Sequence, residues 1–405
     1  MNFQKRAKEA LIILLVLILC SCAGGPSYTE PEGEEKTTLR EIETREESYY
    51  LSIIAAGDNI IHDPILKAAY KDGKYDFFSI YDHVKPYILP ADIAFVNQET
   101  ILGNSELGYS GYPLFSTPAE AGAALAKAGF SIINHATNHT MDRGEKGVIS
   151  SMDHWDSEAL QSVDPLFYLG IHRSKDEREG RRVIIGRNNF KIGFLSYTYG
   201  LNNIPLPAGK AYLVSVAEPE TMADEIDALR PLCDYLVVSM HWGEEYREDY
   251  SLNQENLAAF LAEHDVDLVI GHHPHVLQPM AIMERSGGKT TTVFYSLGNF
   301  LSAHVRPAKE ALLGGLAYVR LKKTGERIDT EEARLIPVIT HYERDRASFS
   351  VYPLADYSEE LAKKHWRRIN DKDMTYDYLI KKTRDLFGPA LLMNNPFTPE
   401  PHWYR

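Results

Sequence analysis

Side chains that bind metal ions recur at one kind of place in this sequence, the ends of short apolar runs. GHHPH, residues 271–275, packs three histidines into five residues directly after VDLVI. Carboxylates, amides and further imidazoles follow four other runs of the same kind. Ligands of open α/β sheets bind at the carboxyl ends of the strands, so we expect these groups to converge on one site. The candidates are Asp58, Asn97, Glu99, Asn138, His139, His241, His272 and His275.

The chemistry of this set predicts divalent metal ions. It combines carboxylate, imidazole and amide groups without thiolates, which suits hard or borderline ions such as Mn, Fe or Zn. Asn97 and Glu99 are two residues apart, so both face the same side of an extended strand. Taken singly, three candidates have plainer interpretations: Asp58 as a helix cap, Glu99 as an exposed strand residue and His241 as a buried structural histidine.

The histidine-rich stretch is the least ordinary of these candidates. Pro274 restricts the residue before it, so we expect His273 to be extended. Gly271 lets the backbone pass close to a bound group. We therefore expect a stiffened turn that presents His272 and His275, with His273 as a spacer between them. A surface cluster of histidines is the alternative.

Three further residues could join such a site or serve the fold alone. His62 lies one helical turn after Asp58, and a core or surface histidine is its plainer interpretation. His135 is expected to pack or to hydrogen-bond rather than to bind a metal. Asp142 either orients His139 or forms a turn.

Length and composition fit a soluble globular protein with an ample core. The chain has 405 residues, of which 44% are hydrophobic. Its formal net charge of −14 argues against nucleic acid as a partner, because nucleic-acid binders carry a basic face. The same charge disfavours direct docking on anionic polymers unless a bound cation intervenes.

The N-terminus predicts export and membrane attachment. A basic start precedes an apolar run over residues 10–20. This run is shorter than the roughly 20 residues of a membrane span, so it is typical of a signal peptide, with an uncleaved anchor helix as the alternative. LCSC, residues 19–22, resembles the cleavage box of bacterial lipoproteins. We therefore predict a signal peptide over 1–22, a lipidated Cys22 that attaches the protein to the membrane, and an extracytoplasmic location at the cell surface.

The rest of the chain divides into three predicted segments. Residues 23–48 are polar and acidic, which predicts a solvated tether. From residue 49 onward, short β-rich runs alternate with helical stretches, as in an α/β domain, which we place at 49–340. Strands and then helices form a C-terminal extension, mainly helical over 341–405.

Six stretches, taken in chain order, resemble a known family. They are AAGDNII, ADIAFVNQETIL, ATNHTMDRG, VVSMHWGEEY, LVIGHHPHVLQP and VFYSLGNF. Together they resemble the bacterial capsule-synthesis CapA family, which is associated with poly-γ-glutamate capsules and is similar to the calcineurin-like metallophosphoesterases. The resemblance covers about residues 51–303. It implies a metallophosphatase-like α/β fold, a four-layer sandwich of two mixed β-sheets flanked by helices, with a site for two divalent metal ions.

The resemblance also implies roles for the matching residues. Asp58 corresponds to a ligand of the first metal, Glu99 to the bridging carboxylate and Asn138 to an amide ligand of the second metal. His139 corresponds to a proton donor or charge stabiliser beside the scissile group, with Asp142 holding it. The remaining imidazole ligands are His241, His272 and His275.

This sequence departs from the phosphoesterase pattern at two positions. Those enzymes usually carry Asp-x-His in the first stretch, whereas here the histidine comes two residues later, at His62. The bridging residue there is normally Asp, and here it is the longer Glu99.

The implied function is synthesis, export or anchoring of a poly-γ-glutamate capsule by a surface-anchored protein. The implied partners are that anionic cell-surface polymer, the membrane and capsule-synthesis membrane proteins. Two alternatives stay open: an extracytoplasmic metal-dependent phosphoesterase, and a non-catalytic lipoprotein scaffold that binds polymer.

Overall fold

A computed structural model describes residues 47–398, apart from 163, 305–308 and 370. The signal peptide predicted at 1–22, and all but the last two residues of the tether predicted at 23–48, lie outside the described residues. Residues 46–405 form the larger of two compact units. Among the described residues, no helix combines the length and the apolar character needed to cross a membrane.

Strands and helices alternate over most of the described chain. The strands are β1 (Ser48–Asn59), β2 (Tyr70–Lys71), β3 (Lys74–Tyr75), β4 (Ile93–Gln98), β5 (Ile132–Asn134), β6 (Phe167–Leu169), β7 (Val183–Arg187), β8 (Phe190–Thr198), β9 (Tyr235–His241), β10 (Leu268–His272), β11 (Leu277–Glu284), β12 (Thr290–Leu297), β13 (Asn299–Leu301), β14 (Leu313–Thr324), β15 (Arg327–His341) and β16 (Ser350–Pro353). The helices are α1 (Asp63–Ala69), α2 (Lys85–Ile88), α3 (Ala119–Ala128), α4 (Gly144–Gln161), α5 (Lys175–Gly180), α6 (Pro219–Leu229), α7 (Leu252–Glu263), α8 (Glu359–Lys364) and α9 (Tyr376–Phe387).

Two mixed sheets form the body of the protein. The first has the strand order β16-β15-β14-β1-β4-β5-β6, with β13 also paired to β1, and the second has the order β11-β12-β10-β9-β8-β7. Strands β1, β4, β5 and β6 run parallel, as do β8, β9, β10 and β12, while the outer strands of both sheets are largely antiparallel. The architecture predicted from the sequence, two mixed sheets flanked by helices, is confirmed.

Strand β9 shows why its sequence is apolar at nearly every position. Tyr235 and Val237 point into the core cluster that contains residues of both sheets. The alternate residues Leu236, Val238 and Met240 belong to a second cluster, which includes buried side chains of α6 and α7. Because successive side chains of a strand face opposite sides, a strand covered on both faces must be apolar throughout. This continuous burial identifies the second sheet as an inner layer.

The C-terminal residues are part of the same body. Strand β16 adds to the edge of the first sheet by pairing with β15. Helix α8 begins at a Ser358 cap, whose side chain accepts a hydrogen bond from the backbone of Leu361. Leu379 and Phe387 of α9 are buried in the large core cluster.

Strand register brings the candidate residues side by side. In the first sheet Asp58 of β1 is paired with Asn97 of β4, and in the second His272 of β10 is paired with His241 of β9. Each pair lies at the carboxyl end of parallel strands, where side chains of neighbouring strands meet. The site is therefore built from the ends of both sheets.

Gly271 allows β10 to lie against β12 directly before the histidine-rich turn. A Cβ atom at this position would lie 2.0 Å from the backbone oxygen of Tyr295. We expect Gly271→Ala to lower the free energy of unfolding by about 2–3 kcal/mol, because backbone atoms cannot yield as a flexible side chain can. Urea titration followed by tryptophan fluorescence measures this change.

Gly186→Ala is the matched control. Gly186 lies in β7, and a Cβ atom there would meet nothing within 4 Å. We expect the control to retain wild-type stability. Equal stability of the two variants would contradict the packing argument.

Candidate metal centre

Asp58 is the best-bonded carboxylate of the site. Its Oδ1 accepts a hydrogen bond from the Asn97 amide at 2.8 Å, and its Oδ2 accepts one from the His273 backbone N–H at 3.2 Å. The same Oδ2 lies 3.1 Å from His275 Nδ1. Burial alone would raise the pKa of Asp58, but His272 and His275 outweigh burial and hold that pKa well below its usual range. Asp58 is therefore a buried, ionised carboxylate.

Glu99 is buried without a hydrogen-bond partner. Its side chain is 1% exposed, and neither carboxylate oxygen has a partner among the described residues. Its Oε1 lies 3.6 Å from His275 Nε2 and 4.0 Å from His241 Nε2. Burial raises the pKa of Glu99 well above its usual range, although the charge of His275 offsets part of the effect. An unpaired buried carboxylate is costly, so a cation between these groups would satisfy Glu99.

His241 and Asn138 connect the two sheets. His241 Nε2 lies 2.9 Å from Asn138 Oδ1, and its Nδ1 lies 3.4 Å from the Asn97 amide nitrogen. Asn138 in turn donates to Asn202 Oδ1 at 3.2 Å. Burial, followed by the charge of His273, lowers the pKa of His241 well below its usual range. The ring is therefore neutral, the form in which imidazole binds metals.

The histidine-rich turn differs from the expected extended backbone. His273 has φ of +97° and His275 has φ of +60°, so the expectation for His273 was wrong. Hydrogen bonds hold this strained turn: the His273 N–H bonds to Asp58, and the Tyr246 N–H donates to the Pro274 oxygen at 2.7 Å. Tertiary contacts thus override the local preference imposed by proline, as is common at functional sites.

The turn also brings His273 towards the site instead of leaving it as a spacer. Its Nδ1 has no partner among the described residues, and burial followed by the charge of His275 lowers its pKa to about 3. Burial would lower the pKa of His275 too, but Glu99 and Asp58 raise it to about 9. Without a metal, His275 therefore carries a proton between two carboxylates.

Two groups of potential metal ligands share Glu99. One consists of Asp58, Glu99 and His241, and the other of Glu99, His273 and His275; within each, the ligand atoms lie within 4.8 Å of one another. Beside them, both ring nitrogens of His272 lack hydrogen-bond partners among the described residues, although Nδ1 lies 3.5 Å from Asp58 Oδ1. Unpartnered buried carboxylate oxygens and imidazole nitrogens are what divalent ions satisfy, so these residues fit such ions.

A histidine–aspartate pair lies at the edge of these ligand groups. His139 Nδ1 is 2.8 Å from Asp142 Oδ2, and this oxygen also accepts the Phe115 backbone N–H at 2.8 Å. The ring of His139 meets Phe115 edge-on, with centroids 4.7 Å apart. Contacts on both sides therefore fix the orientation of His139. Asp142 also lies in the turn before α4, where its N–H donates to the His139 backbone oxygen at 3.3 Å, so the contact with His139 and the turn occur together.

The other histidines weighed for the site lie outside both ligand groups. His135 Nε2 accepts the Trp155 indole N–H at 2.7 Å, so it serves the core. His62 Nδ1 accepts the backbone N–H of Ala303 at 3.2 Å. His62 nevertheless lines the cavity beside the site, at the place where the sequence departs from Asp-x-His.

Sequence reasoning missed several residues of that cavity. Its volume is about 560 Å³, and Glu99, His139 and His275 line its inner end. Its other described walls are Ile60, His62, Tyr112, Phe115, Glu245, Tyr246 and His304. His304 and Tyr246 come three and five residues after the ends of β13 and β9. Both residues therefore also follow strand ends. They lie several residues into the loops, however, where local sequence patterns do not predict the path of the chain.

Replacing the shared carboxylate tests whether this site holds metal. Glu99→Gln keeps the shape of the side chain and removes its charge, so we expect a folded protein. Changes to residues that only support ligands typically cost 10–100-fold in metal affinity, so the loss of a shared ligand should cost at least about 100-fold. Metal content after dialysis against Mn²⁺ or Zn²⁺, measured by mass spectrometry, reports the loss.

Glu284→Gln, at the exposed end of β11, is the matched control and should retain wild-type metal content. The metal-dependent rise of the unfolding temperature provides a second readout. Wild-type metal content and wild-type thermal shift in Glu99→Gln would refute the assignment.

Comparisons with known proteins identify relatives of this chain. PGA biosynthesis protein CapA of Bacillus subtilis (strain 168) is 28% identical over 278 residues, which cover 64% of this chain and 67% of that protein. Capsule biosynthesis protein CapA of Bacillus anthracis is 27% identical over 237 residues, which cover 56% of this chain and 54% of that protein, about half its length. Among solved structures, the calcineurin-like phosphoesterase YfkN of Bacillus subtilis matches loosely, with a TM-score of 0.40, 14% identity, and coverage of 82% of this chain and 100% of that one.

A family model covers the region that contains every ligand candidate. The model described as "Bacterial capsule synthesis protein PGA_cap" matches residues 52–304, which is more than half of the chain. These residues begin in β1 and end just after β13, so they include both ligand groups and the histidine–aspartate pair. The chain therefore belongs to the PGA_cap family of bacterial capsule synthesis proteins.

Proposed function

We propose that this protein acts at the bacterial cell surface in the synthesis, export or anchoring of a poly-γ-glutamate capsule. Family membership supports a role in capsule synthesis, and the names of two relatives state the biosynthesis of PGA or of capsule. The observation that carries the proposal of a working site is Glu99, a buried carboxylate that has no hydrogen-bond partner among the described residues and that two ligand groups share. A chain that only kept the fold would have no need of such a costly group.

Two ions would be held in this centre by residues of both sheets. Asp58 and His241 would serve one ion, His273 and His275 the other, and Glu99 both, while His272 and Asn138 lie next to them. Bound divalent ions would supply positive charge that polarises a scissile bond and activates water. The same charge offsets the acidity of the protein, which otherwise disfavours an anionic polymer.

His139 is the residue placed to move a proton. Asp142 holds its Nδ1, and His139 lines the cavity on which Glu99 and His275 also border. A histidine oriented by a carboxylate is suited to donate a proton to a leaving group. In this proposal, His139 donates that proton, while Asp142 stabilises the charged ring. The aromatic side chains of Tyr112, Phe115 and Tyr246 line the same cavity.

A phosphoesterase activity is the second candidate function. The pairing of two ligand groups with a histidine–aspartate pair suits ester hydrolysis as well as reactions of a polymer amide. An assay of the purified full chain with a chromogenic phosphodiester and Mn²⁺ or Zn²⁺ distinguishes the phosphoesterase function from the capsule function. Efficient turnover favours the phosphoesterase, whereas no turnover by a metal-loaded protein that supports capsule formation favours the capsule-specific reaction.

Attachment to the membrane through Cys22 belongs to the same proposal. LCSC supports it, because a small residue directly precedes the cysteine in the cleavage box of lipoproteins. A tether of acidic residues would then hold the domain away from the membrane, within reach of growing polymer and of capsule-synthesis membrane proteins. This position suits export or anchoring better than synthesis inside the cell.

Chromosomal replacement in the host tests the proposed site. We expect Glu99→Gln and His139→Gln each to reduce cell-surface polymer at least about tenfold, since single acid–base groups contribute roughly 10²–10⁴-fold to rate. Surface polymer is quantified chemically and by light microscopy, with immunoblots to show equal amounts of protein. Controls are Glu284→Gln and His264→Gln; His264 belongs to the turn after α7 and pairs weakly with Asp227 at 3.6 Å. Normal polymer in both site variants would overturn the proposal.

Replacing the cysteine tests the attachment. Cys22→Ser removes the thiol that would carry the lipid, so we expect the protein to leave the membrane fraction. Cell fractionation and metabolic labelling with a fatty acid measure the change. The matched control is Cys20→Ser, two residues earlier, which should leave both location and labelling unchanged. Retention and labelling of Cys22→Ser would exclude this anchor.

A further inference from the structure

A second, smaller cavity lies between residues of the two sheets, separate from the metal centre. Its volume is about 40 Å³. Gly170, just after β6, contributes from the side of the first sheet, and residues 194–196 of β8 contribute from the second. Three arginines in or directly after α5 close the remaining side: Arg178, Arg181 and Arg182.

The arginines leave a positive charge at this cavity. Arg178 is paired with Glu225, Nε to Oε1 at 2.8 Å, and Arg181 with Glu177, Nη1 to Oε1 at 3.2 Å. Arg182 has no carboxylate partner among the described residues, and its Nη1 donates only to the backbone oxygen of Arg181 at 3.1 Å. One guanidinium is thus uncompensated in a protein whose net charge is −14.

Two residues that line the cavity, His172 and Ser196, carry polar atoms without partners among the described residues. Ser196 is 4% exposed, and its hydroxyl has no hydrogen-bond partner among the described residues. His172 Nε2 is bonded to Ser215 Oγ at 3.1 Å, while its Nδ1 has no partner in the described part of the chain. Burial, followed by the charges of Arg178 and Arg181, lowers the pKa of His172 to about 3, so the ring is neutral. Buried polar groups are normally satisfied, so two free ones at one cavity indicate a missing ligand.

We propose that this cavity binds a small oxyanion, a phosphate or a carboxylate. Guanidinium groups recognise the oxygens of both, and the Ser196 hydroxyl and the His172 ring can add neutral hydrogen bonds. One water needs roughly 10–15 Å³ of such space, so this cavity has room for about three to four water-sized atoms, enough for the oxygens of a carboxylate or for three oxygens of a phosphate. The uncompensated charge of Arg182 selects an anion over water.

The position of the cavity connects it to the metal centre. A Cβ atom at Gly170 would lie 2.5 Å from the Cβ of Ala136, which belongs to the loop that carries Asn138. Strand β8 continues from Ser196 to Thr198, which is paired with His241. An oxyanion bound in this cavity would contact residues of both sheets. The loop that carries Asn138 would separate it from the metal ligand groups. The site does not depend on the proposed function.

Oxyanion binding to the purified full chain in detergent tests the proposal. The protein is first treated with EDTA, so that phosphate cannot bind to metal in the other site. Calorimetric titration and thermal unfolding compare potassium phosphate with L-glutamate, and sodium chloride of equal ionic strength reports screening alone. We expect saturable binding of phosphate or glutamate, and the anion that binds identifies the source.

Two variants assign the binding to this cavity. Ser196→Ala removes a hydroxyl without partners, and Arg182→Gln removes the uncompensated charge, so both should fold normally. Each should weaken binding at least about tenfold, because charge-assisted hydrogen bonds are the strong ones. Matched controls are Ser239→Ala, whose hydroxyl is also buried and unpartnered on the neighbouring strand in register with Ser196, and Arg187→Gln, on the exposed end of β7.

Each possible result of these titrations either supports or overturns the proposed site. Binding of either anion that is lost in Ser196→Ala and Arg182→Gln, and retained in both controls, supports the site. No binding of either anion beyond the chloride effect overturns it, as does binding of equal strength in the wild type and both cavity variants. These measurements do not involve capsule formation, so their result is independent of the proposed function.

Discussion

The structure depends on one electrostatic constraint, the burial of carboxylates at the place where the two sheets end. Asp58 meets this constraint with hydrogen bonds and with the charge of His275, whereas Glu99 has no hydrogen-bond donor in the described part of the chain. Two buried acids so close together cannot both stay ionised without positive charge nearby. The imidazoles around these two acids are arranged to bind a cation. That cation would replace the proton that His275 carries between Asp58 and Glu99.

The sequence was informative about the elements and about the ends where the ligands lie. Asp58, Glu99, His241 and His275 were expected to lie close together because each is at or just after the end of a strand, and strand ends meet in parallel sheets. The layered architecture followed from the alternation of apolar runs with helices. Strand register then placed paired residues at the same level in each sheet.

Other parts of the site were beyond local patterns. The positive φ of His273 arises from hydrogen bonds to residues far away in sequence, so the rule for residues before proline did not describe it. Tyr246 and His304 reach the cavity through loops whose paths depend on the packing of the whole domain. Asn202 reaches Asn138 from 64 residues away. These contacts depend on tertiary geometry, and neither composition nor spacing encodes them directly.

The division of the ligands between the sheets has a further consequence. Asp58 and Glu99 lie at or just after strand ends of the first sheet, and His241, His273 and His275 at or just after strand ends of the second, so a bound ion would form a non-covalent crosslink between the two sheets. A ligand at 100 times its dissociation constant adds about 2.7 kcal/mol to the stability of the native state. The stability of the protein against unfolding and proteolysis would then follow the supply of that metal.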